Sequence, residues 1–284
     1  MFRKLTSSPL LPLAPALIVV LILLGASLFY AVAQSFGFVG VTGENQISLD
    51  AYRTAFNSAS EFWVSLGFTL WISIASTLLA SVLAVIVAVW LAGNCSSGDM
   101  LALNWNLAFP HLVWAIALLL FLSQSGLLAR WAATVGLIHT PGEFPILVQD
   151  RYGIGILLHY ISKEIPFLAL IILAVLQSQP FGYDVVAENL GANRWQRLRY
   201  VTLPQIMPAL LAGALLVFGF VFSSYEVPAL LGINYPRALP VLALHFFLEP
   251  DLHARSEGMV ISLVITFIVL LVALVSLRWE GRKE

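Results

Sequence analysis

Charge punctuates this chain in a few places and leaves long intervals bare. No Asp, Glu, Lys or Arg occurs from Leu5 to Gly43, from Phe62 to Gly98, or from Met100 to Ala129. The next apolar region, 153–176, carries only Lys163 and Glu164, and two further apolar runs cover 206–222 and 258–277. A helix of about 20 apolar residues crosses a bilayer core, and intervals of this length without charge are spans. The pattern predicts six membrane helices, at about 10–33, 63–92, 101–123, 153–176, 205–223 and 257–277. Between them lie three longer polar segments, about 34–62, 124–152 and 224–256, whose Pro, Asp, Glu and aromatic residues suit short interfacial helices.

The polar intervals also set direction. Six spans place both ends on one side, with Arg3, Lys4, Arg194, Arg197, Arg199, Arg278, Arg282 and Lys283. Arg53, Arg130, Arg151, Arg237 and Arg255 fall on the other side, spread over longer loops with many carboxylates. The basic excess marks the first side as cytoplasmic. Arg3 and Lys4 ahead of the run Leu10–Ala33 also resemble a signal peptide. That run is too long for a signal core of about 7–15 residues, so it reads as an uncleaved first span.

Composition agrees: 60% of the 284 residues are hydrophobic and 10% charged. That is far from soluble usage. A single cysteine, Cys95, excludes an internal disulfide and a cysteine-based metal cluster. A net charge of −1 argues against a nucleic-acid partner. No convincing internal repeat occurs, which weighs against a two-fold-repeated secondary transporter.

The polar interval 184–204 reads Asp-Val-Val-Ala-Glu-Asn-Leu-Gly-Ala-Asn-Arg-Trp-Gln-Arg-Leu-Arg-Tyr-Val-Thr-Leu-Pro. Asp184 to Leu190 has room for about two helical turns. Gly191 suits the left-handed position past a helix end, and Asn193 suits the N-cap of a second helix holding Arg194, Trp195, Leu198 and Arg199. Thr202 and Gln205 have capping-box spacing, with Pro204 in the first turn of a third, membrane-entering helix. The expected order is helix, glycine hinge, basic helix, break, membrane helix.

This interval resembles the EAA loop of permease subunits from binding-protein-dependent ABC importers. That motif is Glu-Ala-Ala, three residues, Gly, nine residues, an aliphatic residue, one residue, Leu-Pro. Here Gly191 is followed by nine residues and then Val201, Thr202, Leu203 and Pro204. Val185, Val186 and Ala187 stand at the Glu-Ala-Ala positions, so the motif's glutamate is missing; Asp184 and Glu188 flank the place. The resemblance implies an all-α, six-helix type I ABC importer permease fold (MetI-like), as one domain over 1–284, with a cytoplasmic coupling loop over about 177–204. It implies that Ala187, Gly191, Leu203 and Pro204 serve docking to an ATPase. Two permease subunits, two ATPases and a soluble binding protein would make the assembly. The segments 226–232, 236–240 and 251–255 loosely resemble permeases of polyamine, iron and thiamine importers, where the second permease is often a different chain.

Residue chemistry supplies the rest of the expectation. None of the lysines, Lys4, Lys163 and Lys283, follows a glycine, so the chain has no P-loop. ATP and magnesium would belong to the partner ATPase, with no cofactor in this chain. At the interval itself, Ala187, Leu190, Trp195 and Leu198 offer apolar contact, and Arg194, Arg197 and Arg199 offer pairing with ATPase carboxylates; the bland alternative is that these arginines only set topology and touch lipid head groups. Lys163 and Glu164 either line the solute path or make structural contacts, since intramembrane charge is costly. Pro166 predicts a kink. Ser223, Tyr225 and Glu226 at the outer end of the fifth span either meet solute or anchor a loop. His111 and His159 on neighbouring spans suit packing, haem ligation or proton relay. Trp63, Trp71, Trp114, Trp131, Tyr152 and Trp279 fit interfacial belts or helix packing. Gly213 and Gly219 permit close helix approach. Two other function classes remain open at this point: an ion-coupled secondary transporter using Lys163, Glu164 and His159, and a haem-bearing electron-transfer subunit.

Overall fold

The computed structural model of the chain describes residues 13–38, 47–57, 60–93, 96–178 and 183–280. Arg3, Lys4, Cys95, Arg282 and Lys283 lie outside them, as do 179–182 at the start of the expected coupling loop. Among the described residues there are helices and connecting turns and no strand. Six helical segments are long and apolar enough to cross a membrane: Ala14–Ser35, Glu61–Ala92, His111–Thr134, Ile154–Ser178, Arg194–Ser223 and His253–Arg278. The expectation of an all-α, six-span chain therefore matches, and the differences lie in where two spans begin.

Two compact units are separable by internal contacts. The first takes its residues from Met1–Phe62 and Leu242–Val264. It holds α1 (Ala14–Ser35) and α2 (Asp50–Ala55). α1 is long enough, at 22 residues, to span a ~30 Å hydrocarbon core. Its apolar side chains are exposed within the chain, and only Gln34 and Ser35 are buried. That is the signature of a helix whose solvent is lipid or another subunit. The Ser35 hydroxyl meets the Tyr52 hydroxyl at 2.8 Å and fastens the foot of α1 to α2. In the same unit Gly258 passes close to another backbone. A Cβ there would lie 2.7 Å from the Ala243 carbonyl oxygen and 3.0 Å from the Phe247 nitrogen, so only glycine fits without a shift.

The second unit, Trp63–Val241 with Ile265–Glu284, contains the candidate site. Its helices are most of α3 (Glu61–Ala92), then α4 (Ser97–Leu107), α5 (His111–Leu122), α6 (Leu127–Thr134) and α7 (Ile154–Ser178). After them come α8 (Tyr183–Asn189), α9 (Arg194–Arg197), α10 (Leu203–Ser223) and α11 (Glu226–Leu231). α12 (Leu239–Leu248) and α13 (Leu252–Glu280) complete the chain. α7 is the hub: α4, α5, α10 and α11 all pack on it. Ile156, Tyr160, Leu168, Ala169 and Ile172 on α7 have no exposed surface. Asp150 starts α7, accepting from the amides of Tyr152 at 2.8 Å and Ile154 at 2.7 Å. Gly213 lets α10 approach it closely; a Cβ there would sit 2.9 Å from Leu168 Cδ2 and 3.1 Å from Ile171 Cδ1. Gly219 is different, because its Cβ would find only Val269 Cγ1, at an ordinary 3.7 Å.

The expected third span, 101–123, is corrected. Two helices occupy it, α4 and α5, with a break at Ala108–Pro110. Proline has no N–H and pushes its predecessor out of the helical region. Pro110 accordingly stands before α5 with ψ 147°. The stretch able to cross the membrane is shifted to His111–Thr134. α4 starts on a capping box between Ser96 and Asp99. The Ser96 hydroxyl and amide hold the Asp99 carboxyl below its usual range.

The break and the proline inside α7 satisfy one another. Pro166 cannot donate to the Ser162 carbonyl one turn back. The Asn106 side-chain amide takes that carbonyl at 3.0 Å. In return Lys163 Nζ donates to the Asn106 carbonyl at 2.6 Å and the Phe109 carbonyl at 2.7 Å, at the frayed end of α4. Trp114 Nε1 donates to the Ser162 hydroxyl at 2.9 Å. Backbone groups that two prolines would leave bare inside a membrane are thus paired by side chains from the facing helix.

Candidate functional site

The polar interval forms a built surface. α8 ends at Gly191, whose φ of 84° is the left-handed conformation that favours glycine. The Gly191 amide bonds the Glu188 carbonyl at 2.9 Å and the Ala192 amide bonds the Ala187 carbonyl at 3.0 Å. These are the two bonds of a Schellman stop, which satisfy the last carbonyls of α8. Asn193 then opens α9 with a full capping box. Its side chain accepts from the Gln196 amide, and its amide donates to the Gln196 side chain, both at 2.9 Å.

The expected break at Thr202 is absent, and the expectation of a capping box from Thr202 to Gln205 is corrected. Thr202 has helical angles and makes no side-chain cap. α9 instead runs through one π turn, Leu198–Thr202, directly into α10. The Leu203 amide reaches back to the Leu198 carbonyl, five residues away. Pro204 explains the wide turn. In an α-helix its ring would strike the carbonyl of Tyr200, and a π turn opens the ladder at that place. The basic helix and the membrane helix are therefore one rod, Arg194–Ser223.

Polar contacts divide the three arginines. Arg194 and Arg199 are exposed. Arg197 turns inward, its side chain 18% exposed, and bridges Asp184 at 3.4 Å and Glu188 through the same nitrogen. Arg194 and Arg199 are thus open on the surface, and Arg197 is engaged within the chain. Apolar side chains cover the outer face: Leu190 is 82% exposed, Tyr200 70% and Trp195 66%, with Tyr183, Val185 and Val186 also exposed. Between α8 and the π turn lies a shallow groove lined by Val186, Ala187, Leu190, Tyr200, Val201 and Pro204. Leu198 and Leu203 are half-buried behind it. Large apolar side chains rimmed by charge are the pattern of a surface that contacts a partner or a membrane.

The proposed pathway residues stand elsewhere. α10 has 21 residues, so Ser223 lies about 30 Å from Leu203 at its other end. The Ser223 hydroxyl is bonded back to the Gly219 carbonyl at 2.9 Å. Tyr225 and Glu226 are exposed where α11 begins, while Val227, Pro228 and Leu231 anchor α11 in the interior. Lys163 is 3% exposed and its ammonium sits on the two carbonyls at the end of α4; Glu164, beside it, is 6% exposed. In this chain both belong to the interior of the bundle.

His111 Nδ1 and His159 Nε2 are 3.2 Å apart, one hydrogen bond, against Tyr160 and Phe220. Two metal–nitrogen bonds across one ion would need about 4 Å. The pair suits packing and does not suit a shared haem. No group of three or more His, Cys, Asp or Glu poised for a metal occurs among the described residues. The Asn106 link is what sequence reasoning missed; the packing of His111 with His159 was among its expectations. Pro110 and Pro166 were the only signal that unpaired carbonyls would need partners.

Residues 107–280 match a family described as binding-protein-dependent transport system inner membrane component. The chain is 31% identical over 186 residues to the inner membrane ABC transporter permease protein YnjC of Escherichia coli (strain K12), covering 64% of this chain and 34% of that one. It is 33% identical over 111 residues to the sulfate transport system permease protein CysT of the same organism, covering 39% and 36%. It is 30% identical over 185 residues to the thiamine transport system permease protein ThiP of Brucella suis biovar 1 (strain 1330), covering 63% and 31%. The chain thus spans about a third of the length of these relatives. In fold it matches a chain of a bacterial ABC transporter that imports the acidic polysaccharide alginate, with TM-score 0.74 and 22% identity over 94% of this chain and 93% of that one.

Proposed function

Because the chain belongs to the family of binding-protein-dependent transport system inner membrane components, we propose that it is the permease subunit of an ATP-driven importer. It forms half of a solute path through the bacterial inner membrane. A second permease, encoded as a different chain, forms the other half. A soluble binding protein delivers the solute, and a dimer of ATPase subunits, holding ATP and magnesium, docks on residues 184–204. Both termini and this docking surface face the cytoplasm.

The observation that carries the reading is the continuity of Arg194–Ser223. A surface that only touched a partner would not need to be one rod with a membrane helix. Here a displacement of Trp195 or Leu198 moves α10 as a body. ATP binding draws the ATPases together, shifts α8 and α9 and opens the path outward; hydrolysis and product release reset it. Nine residues, Glu188 among them, have distinct parts in this coupling. Leu190 and Trp195 project into the ATPase, Ala187 and Leu198 line and back the groove, and Arg194 meets a carboxylate. Glu188 and Gly191 fix the surface, and Leu203 with Pro204 sets the π turn into α10.

The solute is small and polar or charged, of the polyamine, thiamine or iron type. Ser223, Tyr225 and Glu226, exposed at the far end of α10, are pathway candidates open to solute, and Lys163 and Glu164 are candidates buried within the bundle. The test is co-purification of the chain with candidate ATPase subunits from the same cell, comparing wild type with Gly191→Pro and Arg194→Glu. Capture by wild type and loss in both variants, with the permease still folded in the membrane, supports the reading. Failure of wild type to capture any ATPase across several detergents refutes it and favours an ion-coupled carrier.

A further inference from the structure

We propose that Arg197 is not a docking residue but the internal brace that makes 183–202 a stiff lever. This rests on the coupling reading above and extends it to a residue whose side chain faces away from the partner. α8 and α9 are joined by only Leu190–Asn193. Within that link Gly191 has no neighbour within 4 Å of where a Cβ would be, so packing does not hold the hinge. Two features resist bending there. One is the pair of Schellman bonds already described. The other is Arg197, one guanidinium nitrogen set between Asp184 and Glu188. Those two carboxylates are four residues apart and share one face of α8. Arg197 lies on the first turn of the rod that continues through α10. A single cation therefore ties α8 to the membrane helix.

The chemistry fits a brace better than a contact. Arg197 is the least exposed of the three groups in its network, at 18% against 59% for Asp184 and 66% for Glu188. Both carboxylates meet the same nitrogen, Nη1, which carries two N–H groups and a charge that is never lost, so one group can serve both. The position where the family's loops carry glutamate is Val185, which is exposed. The acidic groups that remain on α8, Asp184 and Glu188, are directed at Arg197. A push on α8 then reaches α10 through this link, and without it the glycine hinge yields. The partner needs carboxylates opposite Arg194 and Arg199 only, with apolar ground opposite Leu190, Trp195 and Tyr200.

The experiment uses the full permease, with Cys95→Ser and a spin label at a cysteine placed at position 223, reconstituted with its second permease and ATPase dimer. Two readouts are taken: ATPase capture, and the change in the label's environment on adding ATP with vanadate. Arg197→Ala should capture ATPase within about twofold of wild type, while the label's response falls to roughly a third or less. Arg197→Lys should recover part of the response, and Arg197→Glu combined with Glu188→Arg should recover more than Arg197→Glu alone. Arg194→Glu should instead lose capture. Amide exchange over 186–193 in the permease by itself should quicken roughly fivefold in Arg197→Ala, as expected for losing a two-carboxylate network. The proposal is overturned if Arg197→Ala loses capture as Arg194→Glu does, if the label's response is unchanged, or if exchange over 186–193 is unaltered. If wild type captures no ATPase, the coupling reading fails, and the exchange measurement still decides the brace.

Discussion

A lysine ammonium seated on two carbonyls has a different role from one facing a water-filled path. Lys163 donates to Asn106 and Phe109, and both acceptors sit where Pro110 interrupts the helix. Its sequence shows a charge within a span. It does not show direction, because adjacent helical positions point about 100° apart and the partner lies 57 residues away. Pro166 was legible in the same partial way: the loss of a bond follows from the residue, and its replacement by Asn106 does not. Lys163→Met should therefore destabilise the folded chain by about 3 kcal/mol, the scale of charge-assisted hydrogen bonds lost with their acceptors left buried. Thermal unfolding in detergent measures this. A lysine serving only the path would lose transport with no change in melting. Asn106→Leu should act in the same direction, by about 1–2 kcal/mol, since it bares the Ser162 carbonyl.

At the scale of elements, local signals were read well and continuity was read badly. Gly191 and Asn193 mark a stop and a start through bonds made within a few residues, so their sequence carries the information. The π turn does not announce itself. Pro204 is equally compatible with a new helix start and with a widened turn inside an existing one, and the choice falls to packing of Ile206 and Leu210 in the interior. Gly191→Ala meets no atom, so its cost is the left-handed backbone alone, about 1–2 kcal/mol. Gly191→Asn should cost less, because asparagine tolerates that conformation. Amide exchange over 186–193 would rank the two; equal protection in both would contradict the argument. Helix packing offers a sharper pair. Gly213→Ala places a methyl 2.9 Å from Leu168 Cδ2 and should destabilise by about 1–3 kcal/mol. Gly219→Ala, with its nearest contact at 3.7 Å, should be neutral or stabilising by up to about 1 kcal/mol. Sequence alone gave these two glycines the same role.

For the whole molecule, the number of spans followed from long apolar intervals with little or no charge, because a bilayer demands length and apolarity and little else. The side on which each loop lies depends on a weaker signal. Arg194, Arg197 and Arg199 carry much of the basic excess from which a cytoplasmic side for 184–204 is expected, yet Arg197 is tied to two carboxylates of its own chain. The remaining exposed cations, Arg194 and Arg199, still stand next to the entry of α10, where basic residues bias orientation most. α7 separates this surface from the loop before it by 25 helical residues, about 37 Å and more than a hydrocarbon core. Ile146 and Leu190, both exposed, therefore lie on opposite sides of the membrane. In a Cys95→Ser background, a cysteine in place of Ile146 should react with a membrane-impermeant maleimide in spheroplasts. A cysteine in place of Leu190 should react only after permeabilisation. Labelling of the Leu190 position in sealed spheroplasts would put the surface outside, beyond reach of any cytoplasmic ATPase. It would remove the docking of an ATPase on 184–204, and the brace at Arg197 would then have no coupling to serve. The expected pattern would leave the ATP-dependent protection of that same cysteine as the next quantity to measure, since a docked ATPase should shield Leu190 and leave Ile146 untouched.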